Sequence, residues 1–182
     1  MSFTVEHHYR FDAQNKLDVD DWLLLPRAQL PADFALDDAL AQMLMRLYLE
    51  TVTRAGIIPV QVQADAHTVQ LHLPLGKTAM IFAEPEVLVN AQRAETSWRI
   101  AGGFLLAHGV NYGGRFYIGA EWQAAALKLY SSIRRFPPRL VASLPGKNGV
   151  GLYNITQGAM HKKIQRQYLR RAAAQITGQL DF

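Results

Sequence analysis

The stretch Ala101–Trp122, AGGFLLAHGVNYGGRFYIGAEW, holds six of the thirteen glycines of the chain, and its reading decides the fold. Glycines set among apolar residues either cradle a phosphate or bend a sheet. A dinucleotide fingerprint needs G-x-G-x-x-G between a strand and a helix, so that the helix N-terminus meets the pyrophosphate. The pairs Gly102-Gly103 and Gly113-Gly114 lack that spacing, and Arg115-Phe116-Tyr117-Ile118, which follows the second pair, has strand character. The stretch therefore reads as two strands, Ser97–Ala107 and Arg115–Gln123, joined through Val110-Asn111-Tyr112. Gly102 and Gly103 mark a bend or bulge in the first of them.

Toward the N-terminus the period-two pattern continues. Thr78–Ala83 and Glu86–Ala91 read as a strand pair joined tightly at Pro85, which makes one of them an edge. Ile58, Val60 and Val62 alternate with polar residues; after a turn at Asp65-Ala66-His67, so do Val69, Leu71 and Leu73, giving a hairpin with one wet and one dry face. Asp37 to about Arg54 changes to a helical stripe of Leu40, Met43, Leu44, Leu47, Thr51 and Ala55. Asp37 and Asp38 suit the positive end of its dipole, and Gly56 its C-terminal stop. Phe3–Phe11 reads as a strand with Phe3, Val5, His7 and Tyr9 on one side, followed by a turn at Asp12–Lys16. Trp22–Leu25, closed by Pro26 and Pro31, supports either a strand end or a half-turn.

Toward the C-terminus, Ala126–Arg134 alternates as a strand ended by Pro137-Pro138, although Ala124-Ala125-Ala126 favours helix locally. Ser143–Gly151 reads as loop. A helix then runs from about Thr156 to Thr177, capped by Asn154 or Thr156. Its apolar row is Met160, Ile164, Tyr168, Ala172 and Ile176, and a second row carries Lys162, Arg166 and Arg170. The fold expected is α+β: residues 1–182 as one domain, a curved antiparallel sheet packed against helices at about 37–54 and 156–177.

Composition narrows the function classes. A chain of 182 residues, 49% hydrophobic and 19% charged, is long enough for a real core. No apolar run reaches the roughly eighteen residues a bilayer span needs. The N-terminal MSFTVEHHYRFD has neither signal- nor transit-peptide character, so a cytoplasmic location is the default expectation. The absence of cysteine removes disulfides, thiolate nucleophiles and cysteine metal sites. Residues 1–121 carry nine basic and fourteen acidic side chains, whereas Trp122–Leu180 holds ten basic and no acidic ones. That block either faces an anionic partner, such as nucleic acid or a membrane surface, or pairs with the acidic half within one subunit or across a homo-oligomer.

No motif assigns chemistry. His7 and His8 point to opposite faces of a strand, H-E-x-x-H is missing, and no metal or cofactor is expected. Gly76-Lys77-Thr78 ends like a phosphate loop, but Leu71 occupies the place of its first glycine. There is no G-x-S-x-G elbow. Glu84 and Glu86 around Pro85 are either paired carboxylates or a solvated turn, and His108 either borders a pocket or sits in a surface loop. Catalytic residues are not assigned, and an enzyme is the weakest of the functional readings.

A bent sheet closed by an amphipathic helix leaves room for an apolar cavity. Its wall candidates are Trp98, Ile100, Phe104, Phe116, Ile118, Met160, Ile164 and Tyr168; a fully packed core is the alternative. The row Lys162, Arg166, Arg170 is the candidate anion-binding surface, with a solvated helix face as its alternative. The element order Phe3–Phe11, Asp37–Arg54, strands from Ile57 to Arg134 and helix Thr156–Thr177 resembles the helix-grip architecture of START and Bet v 1-like proteins. That resemblance implies a cavity between sheet and C-terminal helix for lipids, polyketides or other apolar ligands. Two departures are the Pro-interrupted segment before one long helix and the extra loop at 137–153.

Overall fold

The computed structural model of the protein describes residues 3–55, 59–107, 113–143, 149–151 and 158–179. The strands are β1 (Glu6–Phe11), β2 (Leu17–Pro26), β3 (Gln61–Ala64), β4 (Thr68–His72), β5 (Thr78–Asn90), β6 (Arg93–Gly102), β7 (Arg115–Gln123) and β8 (Ala126–Phe136). The helices are α1 (Asp38–Ala55), the short α2 (Arg139–Ser143) and the long α3 (Ala159–Thr177). All eight strands form one antiparallel sheet in the order β1-β2-β8-β7-β6-β5-β4-β3. The chain therefore meanders from β3 to β8, and the N-terminal hairpin is added alongside β8.

Alternation sets which face is dry. In β2, Leu17, Val19, Asp21, Leu23 and Leu25 are buried while the residues between them are not. Register carries that row across the sheet: Leu23 lies opposite Leu129 and Leu129 opposite Ala120, while Ile118 faces Thr96 and Phe116 faces Trp98. Both long helices cover this same face and touch each other, α1 over β6 and β7 and α3 over β2 and β8. The Asp37 side chain caps α1 by accepting the Leu40 N–H at 2.8 Å, and Gly178 ends α3 with φ +66°. Where the layers meet, Tyr48 of α1 packs on Phe116 (centroids 4.7 Å apart) and edge-on to Tyr168 of α3 (5.5 Å). Phe116 in turn stacks on Trp98 at 5.7 Å. Such aromatic pairs add about 0.5–1.5 kcal/mol beyond their buried area.

Of the two readings of Trp22–Leu25 the strand end holds: the segment closes the ten-residue β2 and pairs with β8. Three readings of the sequence need correction. Thr78–Ala83 and Glu86–Ala91 are one strand, not two. The ladder to β4 ends at Ala83 and that to β6 shifts register between Ala83 and Glu86, so the missing N–H of Pro85 costs no ladder bond. Glu84 makes the bulge with φ +56°. The strand expected at Ser97–Ala107 begins earlier and stops at Gly102: Gly103 turns the chain at φ +124°, where any Cβ would collide with the Ala79 carbonyl oxygen. Lastly, Gly149, Val150 and Gly151 are helical rather than loop. The readings at Gly56, His108, Val110–Tyr112, Asn154 and Thr156 fall outside the described residues.

Candidate functional site

An opening of about 720 Å³ separates α1 from the β3–β6 end of the sheet. It exists because this end is thinly built. Strands β3 and β4 are four and five residues long, and β4 pairs only with the first half of β5. Beyond Ala83, β5 has β6 as its one neighbour in the ladder, and α1 crosses above. The walls are Met43, Met45 and Leu49 from α1 facing Val69, Val87 and Trp98 from the strands. Methionine suits a wall that must adapt to what it contacts. Polar groups stand at the rim. Arg46 is largely exposed and lies 4.0 Å from Glu50. Asp65 ties down the β3–β4 turn, accepting from the His67 and Thr68 N–H groups at 2.8 and 2.7 Å. These bonds, that from His67 first, hold the Asp65 carboxyl below the usual carboxylate range.

The residues expected to line a cavity take three kinds of place. Trp98 is 2% exposed and lines this opening. Ile100, Phe116, Ile118, Ile164 and Tyr168 lie in the core, with Met160 half-buried against it. Burial pushes the Tyr168 hydroxyl pKa up, and among the described residues that hydroxyl has no hydrogen-bond partner. Phe104 stands apart in the turn after β6, 42% exposed, with the cations of Arg139 and Lys77 4.6 and 5.1 Å from its ring.

The basic row of the last helix also divides. Arg166 and Arg170 are exposed and Lys162 is half-buried; Arg170 donates through Nε to the Phe3 carbonyl at 3.2 Å. The neighbouring Arg171 reaches α1, donating to Glu50 at 3.1 Å and to the Thr51 hydroxyl at 2.9 Å. Lys128 pairs with Glu121, Arg134 with Asp20, and the Arg135 N–H with Asp18. Part of the basic block is thus neutralised by the acidic half within one chain. Glu84 and Glu86 are bound in the same way, by Arg99 and Arg115.

A polar cluster under the start of α3 is one that reading the sequence missed. Asp21 is completely buried; its Oδ1 is 2.7 Å from His7 Nδ1 and its Oδ2 3.2 Å from His161 Nε2. Burial alone would push this carboxyl up, but hydrogen bonds from His161 and His7, with their charge, outweigh it and hold the carboxyl below its ordinary range. His8 points to the other face and stacks on Trp22 at 4.8 Å. The visible signal was the acid inside the apolar row Leu17, Val19, Asp21, Leu23, Leu25. Among the described residues, no group of three His, Asp or Glu side chains is arranged to hold a metal ion.

An open antiparallel sheet with two helices on one face defines the class of architecture. No protein-family model matches the chain, and no curated protein matches its sequence. Among solved structures, an uncharacterised protein of Bacillus thuringiensis is similar at 13% identity, over 92% of this chain and 99% of that one, with a TM-score of 0.41. Ara h 8.0201 is similar at 14% identity, over 93% and 99%, with a TM-score of 0.39. The di-domain ARO/CYC StfQ from the steffimycin biosynthetic pathway is similar at 10% identity, over 88% of this chain and 51% of that one, with a TM-score of 0.44.

Proposed function

We propose that the protein binds a small apolar or amphipathic molecule between α1 and the sheet, without covalent chemistry there, as a helix-grip variant whose entry lies under its first helix. The observation that carries this reading is the groove of about 720 Å³ walled by Met43, Met45, Leu49, Val69, Val87 and Trp98. It lies within the roughly 300–1,000 Å³ of pockets that take small molecules. Its polar rim, Arg46 and Asp65, suits a ligand with one polar end.

The test is titration with 1-anilinonaphthalene-8-sulfonate, followed by dye and tryptophan fluorescence. Val87 is 58% exposed, so Val87→Arg places a charge at the wall with little effect on the fold. Saturable binding that weakens at least tenfold in Val87→Arg is the expected result, and native mass spectrometry of freshly purified protein should retain an apolar molecule. Equal dye affinity in wild type and variant would reject the groove as the site.

A further inference from the structure

The cluster of His7, Asp21 and His161 shares no lining residue with the groove. Register places His7 directly opposite Asp21 on the dry face of the β1–β2 hairpin, and α3 brings His161 down on the other carboxylate oxygen. A buried carboxylate accepts but does not donate, so each ring must present an N–H to it, and both tautomers are fixed. Nε2 of His7 and Nδ1 of His161 are left over, and among the described residues neither has a protein partner. Both rings line an opening of about 260 Å³, with Leu17 and Val19 as an apolar floor and Lys162 beside them. Lys162 has no acidic partner among the described residues. The opening thus combines two oriented imidazoles, a cation and an apolar surface.

We propose that this opening is a proton-transfer site for a small 2-oxo acid, with the carboxylate of the ligand on Lys162 and its carbonyl group between the imidazoles. In the working form Asp21 is a carboxylate, one ring is neutral and the other is imidazolium, so the three groups sum to zero charge. His7 Nε2 takes a proton from the carbon beside the carbonyl. The pair of that C–H bond becomes the carbon–carbon double bond, the carbonyl π pair moves to oxygen, and the oxygen takes the proton on His161 Nδ1. The product is the enol; the reverse steps return both protons, and no oxidant, reductant or further reactant is consumed. Asp21 does not touch the ligand. It is a positioning residue that holds both rings and stabilises whichever is protonated.

The probe is 2-oxobutyrate in D₂O, with loss of its C3 methylene signal followed by proton NMR. Wild-type protein should speed this exchange well beyond an equal concentration of free imidazole. His7→Gln and His161→Gln should each lower the protein-dependent rate about 100-fold, the lower end for loss of a general acid or base. Asp21→Asn should lower the rate and displace its pH profile, whereas Leu88→Ser, at an exposed position of β5 that lines neither opening, should change neither. Exchange no faster than with imidazole, or equal in all variants, would overturn the assignment. Should a variant fail to fold, long-range proton–nitrogen spectra of the wild-type histidines decide: neutral His7 must carry its proton on Nδ1, and finding it on Nε2 overturns the assignment.

Discussion

Asp21 lets two accounts of one residue be separated by stability alone. If it is a structural keystone, any replacement harms the fold. If it is held in the core for what it does to His7 and His161, an apolar residue should serve the fold as well. Asp21→Asn keeps the shape but removes the charge. Hydrogen bonds to a charged group are worth about 1.5–3 kcal/mol each, and an amide still reaches one ring, so a loss of about 2–3 kcal/mol is expected. Asp21→Leu forfeits both bonds, yet it also removes the penalty for burying a charge, several kcal/mol, and adds about 2 kcal/mol from a buried leucine. The freed rings keep side-chain exposures of 14% and 17%, so water can serve them. Asp21→Leu should therefore fall within about 1 kcal/mol of wild type or exceed it. Urea denaturation at pH 7, with equal m-values across the series, measures both variants. Asp21→Leu proving less stable than Asp21→Asn would refute the reasoning.

Acid gives a second check on the same residue. The carboxyl is lowered in the fold, so its stabilisation is complete above the unfolded value, near pH 4, and is lost as pH falls through the folded value; the stability gap between wild type and Asp21→Asn should close over that window. Tyr168→Phe removes a buried hydroxyl that has no partner among the described residues, so stability should hold or rise by about 1 kcal/mol in a thermal melt. Gly119→Ala would set a Cβ 2.7 Å from the Ala94 carbonyl oxygen and 2.9 Å from the Tyr130 hydroxyl, which donates to Glu95. A loss of about 1–3 kcal/mol by urea denaturation is expected from such overpacking.

Alternation made much of the sheet legible. Arg115–Gln123 is β7 to the residue, and β8 begins at Ala126 despite its run of alanines. Those alanines make a hairpin, with Ala124 at φ +48°, a conformation that no local preference announces. Pro85 looked like the end of a strand because the need for its N–H depends on how far β4 extends, which is not a local property. The stripe of α3 was legible in Ile164, Tyr168, Ala172 and Ile176, all buried. What lay across from it was not. His161 meets Asp21 140 positions away, and Arg171 meets Glu50 across 121, pairings that only the packing of α3 creates. The site residues missed share this property: each is ordinary in its own segment, and Asp21 stood out only once Leu17–Leu25 was one strand.

On the side away from β1, β2 pairs with β8, with Leu17 opposite Phe136. A chain emerging from the ribosome N-terminus first thus presents the oily side of its first hairpin more than a hundred residues before its cover is made. The β3–β8 meander can zip up as it appears, one turn after another, but joining the hairpin to it closes a very long loop and sets a slow final step. Synthesis halted short of Phe136 would release a fragment with Leu17, Val19, Leu23 and Leu25 bare. Such a fragment is prone to clump and is a natural client for holdase chaperones.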